Sequence, residues 1–315
     1  MNSSEATHQP DATGTDPKQL SYLPNLKLND GHDIPMLAYG LGTANYKRGA
    51  GRDVIDDKII TDTVTAIKCG YTHLDGAEGY GNEPELGRAI KKAGVPRERL
   101  FVTTKCSNVE AGQLSQSLDT SLAKLGLDHV DLYLIHQPFF ADGDLKLLQS
   151  TWAEMEAIQA SGRATSIGVS NYTTRHLDVL LETAKVVPAI NQIELHPYLQ
   201  HGDLLAYHRE KGIAVSAYAP LTAVTKARPG PLDDVYPALA KKYGVGEGDI
   251  ALRWVIDQGA VVITTSSKEE RLQSFLTKLP SFKLTPKEVE LISEKGREKN
   301  FRGFWTHKIK EGDWA

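Results

Sequence analysis

The chain has 315 residues, 40 % of them hydrophobic and 24 % charged, a composition that excludes wholesale disorder and suits two ordinary domains or one large α/β barrel. Its 36 lysines and arginines against 40 aspartates and glutamates leave a net charge of −4, which offers no electrostatic footprint for nucleic acid or an anionic membrane. Cys69 and Cys106 are the only cysteines, so a disulfide framework is excluded, a reducing compartment is favoured, and no Cys/His spacing points to a metal site.

Residues 1–18 are rich in Ser, Thr and Asp and carry no apolar segment; they read as a disordered tail rather than a signal peptide. No run of 18 apolar residues exists, so nothing spans a bilayer and the cytoplasm is the expected location. Residues 19–315 read as a single domain. It opens with a short hairpin over Leu26–Leu37, turned at Asn29-Asp30-Gly31, where positive φ is tolerated.

From there the chain alternates. Strands are expected at Ala38–Leu41, His73–Asp75, Phe101–Lys105, Val130–His136, Ser166–Ser170, Ala189–Ile193, Ala214–Tyr218 and Val261–Thr264. Helical stretches lie between them at Asp56–Cys69, Glu83–Lys92, Gln113–Leu125, Leu145–Ser161, Thr174–Thr183, Gly202–Lys211 and Asp234–Tyr243. The run Gly244–Gly248 sits between two helical stretches and reads as a flexible connector, with Leu252, Trp254 and Ile256 near it as core. Such alternation implies parallel strands with right-handed crossovers. The fold class is therefore α/β, a (β/α)8 TIM barrel whose N-terminal hairpin closes the bottom. The rival, a doubly wound open sheet, would announce itself by GxGxxG after the first strand; here that strand ends Gly40-Leu41-Gly42-Thr43-Ala44-Asn45, without the third glycine.

A barrel presents its ligand-facing residues at the C-terminal ends of the strands. Read in order, those ends carry Asp75, Lys105, His136, Ser170, Asn171, Gln192 and Tyr218. Each has a plain alternative: Asp75 as a turn cap, Lys105 as a solvated lysine, His136 as a core histidine. Ser170-Asn171 also suits the N-cap of the helix near Thr174. Six blocks in the same order then carry a resemblance: Gly70–Glu83, Phe101–Lys105, Asp131–Pro138, Ile167–Tyr172, Asn191–Gln200 and Ala217–Leu221. Together they resemble the aldo-keto reductases over nearly the whole folded chain.

The resemblance implies a catalytic tetrad of Tyr80, Asp75, Lys105 and His136, and a nicotinamide cofactor lying across the barrel mouth. The chemistry of the four agrees. Reducing a carbonyl needs a hydride at carbon and a proton at oxygen, and a phenol is protonated at neutral pH. Lys105 is expected to lower the pKa of Tyr80, with Asp75 holding the lysine charged and neutral His136 orienting the carbonyl. In the family pattern Ser170, Asn171 and Gln192 bond the carboxamide and Tyr218 stacks on the ring, with Pro220 and Leu221 beside it. The expected substrate is a small carbonyl compound, and the protein a monomer or homodimer.

Two segments depart from that pattern. Many members carry Ile-Pro-Lys-Ser after the eighth strand, where the lysine grips the 2′-phosphate of NADPH; here Val262–Leu272 reads VITTSSKEERL. Lys268 is expected to replace it, with Ser266, Ser267 and Arg271 completing an anion pocket at a helix start. This form resembles fungal keto-amide and conjugated polyketone reductases and favours NADPH over NADH. A solvated charged helix face is the plain alternative. On the substrate side, Ala44, Ser107 and Gln137 stand where aldose-type members have tryptophans. A wide, polar pocket for bulky dicarbonyls is expected, partly refilled by Tyr46, Phe139, Phe140 and Trp305. Two other functions compete: a nicotinamide-sensing accessory subunit without turnover, and a phosphate-binding aldolase or isomerase barrel. The latter has only Arg228-Pro229-Gly230-Pro231 as a phosphate loop.

Overall fold

The structure, a computed structural model, describes residues 22–110 and 112–309; the tail expected over 1–18 lies outside the described residues. Strands β1 (Asn25–Lys27) and β2 (Asp33–Pro35) form the antiparallel hairpin. Gly31 turns it at φ 89°, a left-handed conformation that glycine adopts without a Cβ clash.

Eight further strands follow: β3 (Leu37–Gly40), β4 (His73–Asp75), β5 (Phe101–Cys106), β6 (Val130–Ile135), β7 (Ala164–Ser170), β8 (Ile190–Glu194), β9 (Ala214–Tyr218) and β10 (Val261–Thr264). They pair in parallel and in chain order, and β10 returns to β3 to close the barrel. The hairpin closes the N-terminal end, as expected. Leu28, Ile34 and Met36 are buried there, and Asn29 Nδ2 donates across the barrel to the Pro188 carbonyl just ahead of β8 (3.0 Å).

The outer layer comprises ten helices among the described residues. Seven fall on the expected stretches: α1 (Asp57–Cys69), α2 (Glu83–Ala93), α3 (Leu114–Leu125), α4 (Lys146–Ala160), α5 (Thr174–Leu181), α6 (Leu204–Lys211) and α7 (Val235–Tyr243). The first is typical. Asp56 caps α1 by accepting from Lys58 N, and Ile59, Ile60, Val64 and Ile67 at helical spacing form its buried stripe. Then come α8 (Glu247–Ile256), α9 (Glu269–Lys278) and α10 (Pro286–Arg297).

The connector expected over Gly244–Gly248 is shorter than that. Gly244 ends α7 in the left-handed region, Gly246 precedes α8, and Glu247 and Gly248 already lie inside α8. Every residue from Asp249 to Ile256 is buried, and Gly246 N donates to Asp249 Oδ2 (2.7 Å), which starts the helix at Glu247. The helix start at α10 is better signposted, since Thr285, Pro286 and Glu288 form a capping box with proline in the first turn.

The same packing buries histidines. His73 lies between the Pro35 carbonyl and Thr103 Oγ1, His208 between the Leu204 carbonyl and Asn191, and His201 on the Glu194 carbonyl. Burial pulls all three down to about 4. An unfolded histidine titrates near about 6.5, so below that pH the unfolded chain binds protons the folded one refuses. Stability should therefore be lost as pH falls from about 6.5 toward 4. His176, also at about 4, and His136, at about 3, add to these, so denaturant melts between pH 7 and 4.5 should show uptake of more than three protons on unfolding, less what buried Glu83, Asp249 and Asp257, whose pKa values are raised, hold in the fold. Stability that is flat or rising on acidification would contradict this.

Candidate active site

At the C-terminal end of the barrel the strand ends and loops enclose a cavity of about 790 Å³, within the range of small-molecule sites. Asp75, Tyr80, His136, Ser170, Asn171, Gln192 and Tyr218 all line it. Lys105 lies just beneath, fully buried. The register explains the convergence. Asp75 ends β4 opposite Gly40 and Thr103, and Lys105 stands two residues further along β5, on the same face as Thr103.

Lys105 and Asp75 form the centre. The ammonium donates to both Asp75 oxygens (2.9 and 2.8 Å) and to the Gly76 carbonyl (2.7 Å), and Tyr80 Oη lies 3.4 Å away. Burial pulls the Lys105 pKa down while Asp75 opposes that shift. Tyr80 follows β4 on a short turn (78–80) and reaches back over the lysine. Its phenol is held well above its ordinary value, first by burial and then by the Asp75 carboxylate. The expected lowering by Lys105 is therefore not found. The lysine meets the phenol as half of an ion pair and at a longer distance, so burial and the Asp75 carboxylate outweigh its attraction.

His136 follows β6. Its backbone N–H donates to the Cys106 carbonyl and its own carbonyl accepts from Asn171 Nδ2. The ring lies edge-on to Tyr80, and Nδ1 is 2.8 Å from Ser107 Oγ. Burial, then the Lys105 charge, drives its pKa down to about 3, so the imidazole is neutral, as expected.

The residues expected to hold nicotinamide form one hydrogen-bonded chain. Tyr218 Oη donates to Asn171 Oδ1 (2.7 Å), Asn171 Nδ2 to Ser170 Oγ (2.9 Å), and Ser170 Oγ to the Gln192 carbonyl (2.7 Å). Gln192 Nε2 then donates to Asp75 Oδ1 (2.9 Å), which ties the chain to the ion pair. Asn171 takes φ 62° to turn its amide inward. The N-cap alternative for Ser170-Asn171 fails, because Thr173, with His176, caps α5. Amides, a hydroxyl and a phenol on one wall match the donors and acceptors of a carboxamide beside a flat ring. Pro220 and Leu221 also line the cavity.

Ser266, Ser267, Lys268 and Arg271 gather at the start of α9, where Ser266 Oγ accepts from Lys268 N (3.0 Å). None lines the cavity; Thr264 and Thr265 carry its wall to that point. Ser267, Lys268 and Arg271 are exposed, as a phosphate contact requires and as a solvated helix face also allows.

On the opposite side Ser107 and Gln137 line the cavity, whereas Ala44 does not: it sits exposed in the 43–45 turn, and Thr43 and Tyr46 provide the wall. Trp305 lines the cavity over His136, with Phe139 packed behind it. Phe140 packs against the core instead. Sequence reasoning missed Phe304, which lies against Tyr218, and Glu194, which holds the segment in place. Buried Glu194 accepts from the backbone of Gly303 (2.8 Å) and Phe304 (3.1 Å). The signal was available: Glu194 follows Gln192 by two residues on β8 and faces the same way.

The class that this barrel and cavity define is matched independently. Residues 38–297 match the aldo/keto reductase family model, and the chain belongs to that family. Over 280 residues it is 37 % identical to the NAD/NADP-dependent indole-3-acetaldehyde reductase of Schizosaccharomyces pombe, spanning 88 % of this chain and 97 % of the relative. Over 291 residues it is 37 % identical to the NADPH-dependent alpha-keto amide reductase of Saccharomyces cerevisiae, with 89 % and 93 % covered. Among solved structures, a Bombyx mori aldo-keto reductase in complex with NADP superposes with a TM-score of 0.78 at 36 % identity, covering 88 % of this chain and 94 % of that one. Among the described residues no helix is long and apolar enough to cross a membrane.

Proposed function

We propose that the chain reduces a carbonyl compound to an alcohol with NADPH, Tyr80 donating the proton. The observation that carries this reading is the meeting of a phenol, a buried ammonium–carboxylate pair and a neutral imidazole on one cavity wall. Bound NADPH would supply the hydride. The protein supplies the rest. The raised pKa keeps Tyr80 protonated across the physiological range, so the acid is always loaded. As its proton moves to the carbonyl oxygen, negative charge grows on Oη, 3.4 Å from the Lys105 ammonium; that attraction exists only once charge develops, which favours the transition state. His136, neutral, donates a hydrogen bond to the same oxygen and fixes the substrate's approach.

Ser170, Asn171 and Gln192 would hold the carboxamide, Tyr218 would stack on the ring, and Pro220 and Leu221 would flank it. Ser266, Ser267, Lys268 and Arg271 would take the 2′-phosphate, which favours NADPH over NADH. Small Ser107 and polar Gln137 leave one side of the pocket wide, while Tyr46, Phe304 and Trp305 give it aromatic walls. Such a pocket suits an aldehyde, ketone or α-dicarbonyl such as a keto-lactone, keto-amide or conjugated polyketone. The reading also takes residues 19–315 as one domain, the protein as a cytoplasmic monomer or homodimer, and its partners as small molecules only.

NADPH consumption with a carbonyl panel tests this directly, and a bulky α-keto lactone should turn over faster than glyceraldehyde. Tyr80→Phe should lower kcat by about 10²–10⁴-fold with NADPH affinity within twofold. A variant as fast as the parent would reject Tyr80 as the acid. Replacing Lys268 and Arg271 together by Ala should weaken NADPH about tenfold or more while leaving NADH unchanged; unchanged NADPH affinity would eliminate that pocket.

A further inference from the structure

Ser107 stands at a junction that its place in the pocket wall does not explain. Its Oγ accepts from the backbone N–H of Gly79 (2.9 Å) and lies 2.8 Å from His136 Nδ1. Its own N–H donates to Glu78 Oε2 (3.1 Å). One serine thus clips the turn that carries Tyr80 to the imidazole across the cavity. Gly79 is required for this approach. A Cβ there would sit 2.5 Å from Ser107 Oγ, and no positive φ constrains the position otherwise.

The hydrogen inventory then fixes the imidazole. A hydroxyl has one proton and two lone pairs. Gly79 N–H occupies one lone pair, and His136 Nδ1 is the acceptor in bonding distance of the proton. With its pKa near 3 the ring carries a single N–H. If Nδ1 accepts from Ser107, that N–H is on Nε2, the nitrogen left for the cavity. The opposite tautomer would leave the hydroxyl proton without an acceptor among the described residues and present a lone pair to the substrate oxygen, which repels it.

We propose that Ser107 is a positioning residue that holds His136 as the Nε2–H tautomer, so that imidazole and phenol both donate to the carbonyl oxygen. The proposal rests on the reductase reading for its consequence, and on the hydrogen-bond geometry of a neutral ring for the tautomer. The position has a sequence logic: Ser107 lies two residues beyond Lys105 and so faces the same side.

The test combines nitrogen-15 NMR of the imidazoles with steady-state kinetics. Wild-type His136 should appear as a single Nε2–H tautomer. Ser107→Ala should give mixed tautomers, kcat/KM for the carbonyl about tenfold lower, and NADPH affinity within twofold. Ser107→Thr, which restores the hydroxyl, should recover most of the loss. A wild-type Nδ1–H tautomer overturns the proposal. So does a Ser107→Ala enzyme that keeps both the single tautomer and the parental kcat/KM. Should that variant fail to fold, Gly79→Ala displaces the hydroxyl instead, and an unchanged tautomer there also overturns it. If no carbonyl is reduced by the wild type, the reductase reading falls, while the wild-type imidazole spectrum still decides the role of Ser107.

Discussion

A lysine ammonium with no solvent exposure is the constraint around which the barrel mouth is built. Removing such a charge from water carries a penalty of several kcal/mol, on the order of the stability of a whole domain. Lys105 offsets part of it by meeting both Asp75 oxygens and the Gly76 carbonyl, which uses all three ammonium protons. Asp75 in turn accepts from Gln192. Through Gln192, Ser170, Asn171 and Tyr218 the hydrogen bonds run from β4 across to β9. The residues proposed for the acid chemistry and those proposed for the cofactor wall are therefore joined in one network.

That network changes how the tyrosine works. A free lysine beside a phenol would favour the phenolate in the resting enzyme. Here burial, and then the Asp75 carboxylate, outweigh the paired lysine and leave the phenol protonated and hard to ionise. The lysine's field matters at the moment charge appears on Oη, since the ammonium is already oriented and needs no rearrangement. The neutral imidazole follows the same pattern. Burial beside Lys105 denies it a proton, so in the proposed mechanism it would offer the substrate a directed N–H and no charge.

The barrel was legible in the sequence because its strands and helices alternate with short, well-marked boundaries. All eight barrel strands and seven helices fall on the expected stretches, within a residue or two. What escaped was hidden by burial or by distance in the chain. Helix α8 begins at Glu247, inside the run expected as a connector. Ala44 has the right sequence offset for a pocket wall, but the 43–45 turn carries it outward and brings Tyr46 in. The Tyr80 phenol pKa depends first on burial and then on the Asp75 carboxylate that the fold brings near it. No spacing in the chain encodes either. Likewise Glu194 and Gly303 meet across 109 positions.

The most direct measurement of the central claim is the stability and turnover of Asp75→Asn as a function of pH. Without its carboxylate partner Lys105 is left to desolvation alone, so its folded pKa falls further while the unfolded value stays near about 10.4. The unfolded chain then binds a proton that the folded chain does not, and stability rises with pH up to that value. A loss of about 3–5 kcal/mol at pH 7 that narrows by pH 9 is expected, together with a large fall in kcat. An Asp75→Asn protein as stable and as fast as the parent at pH 7 would show that the ion pair is not what the mouth of the barrel is organised around.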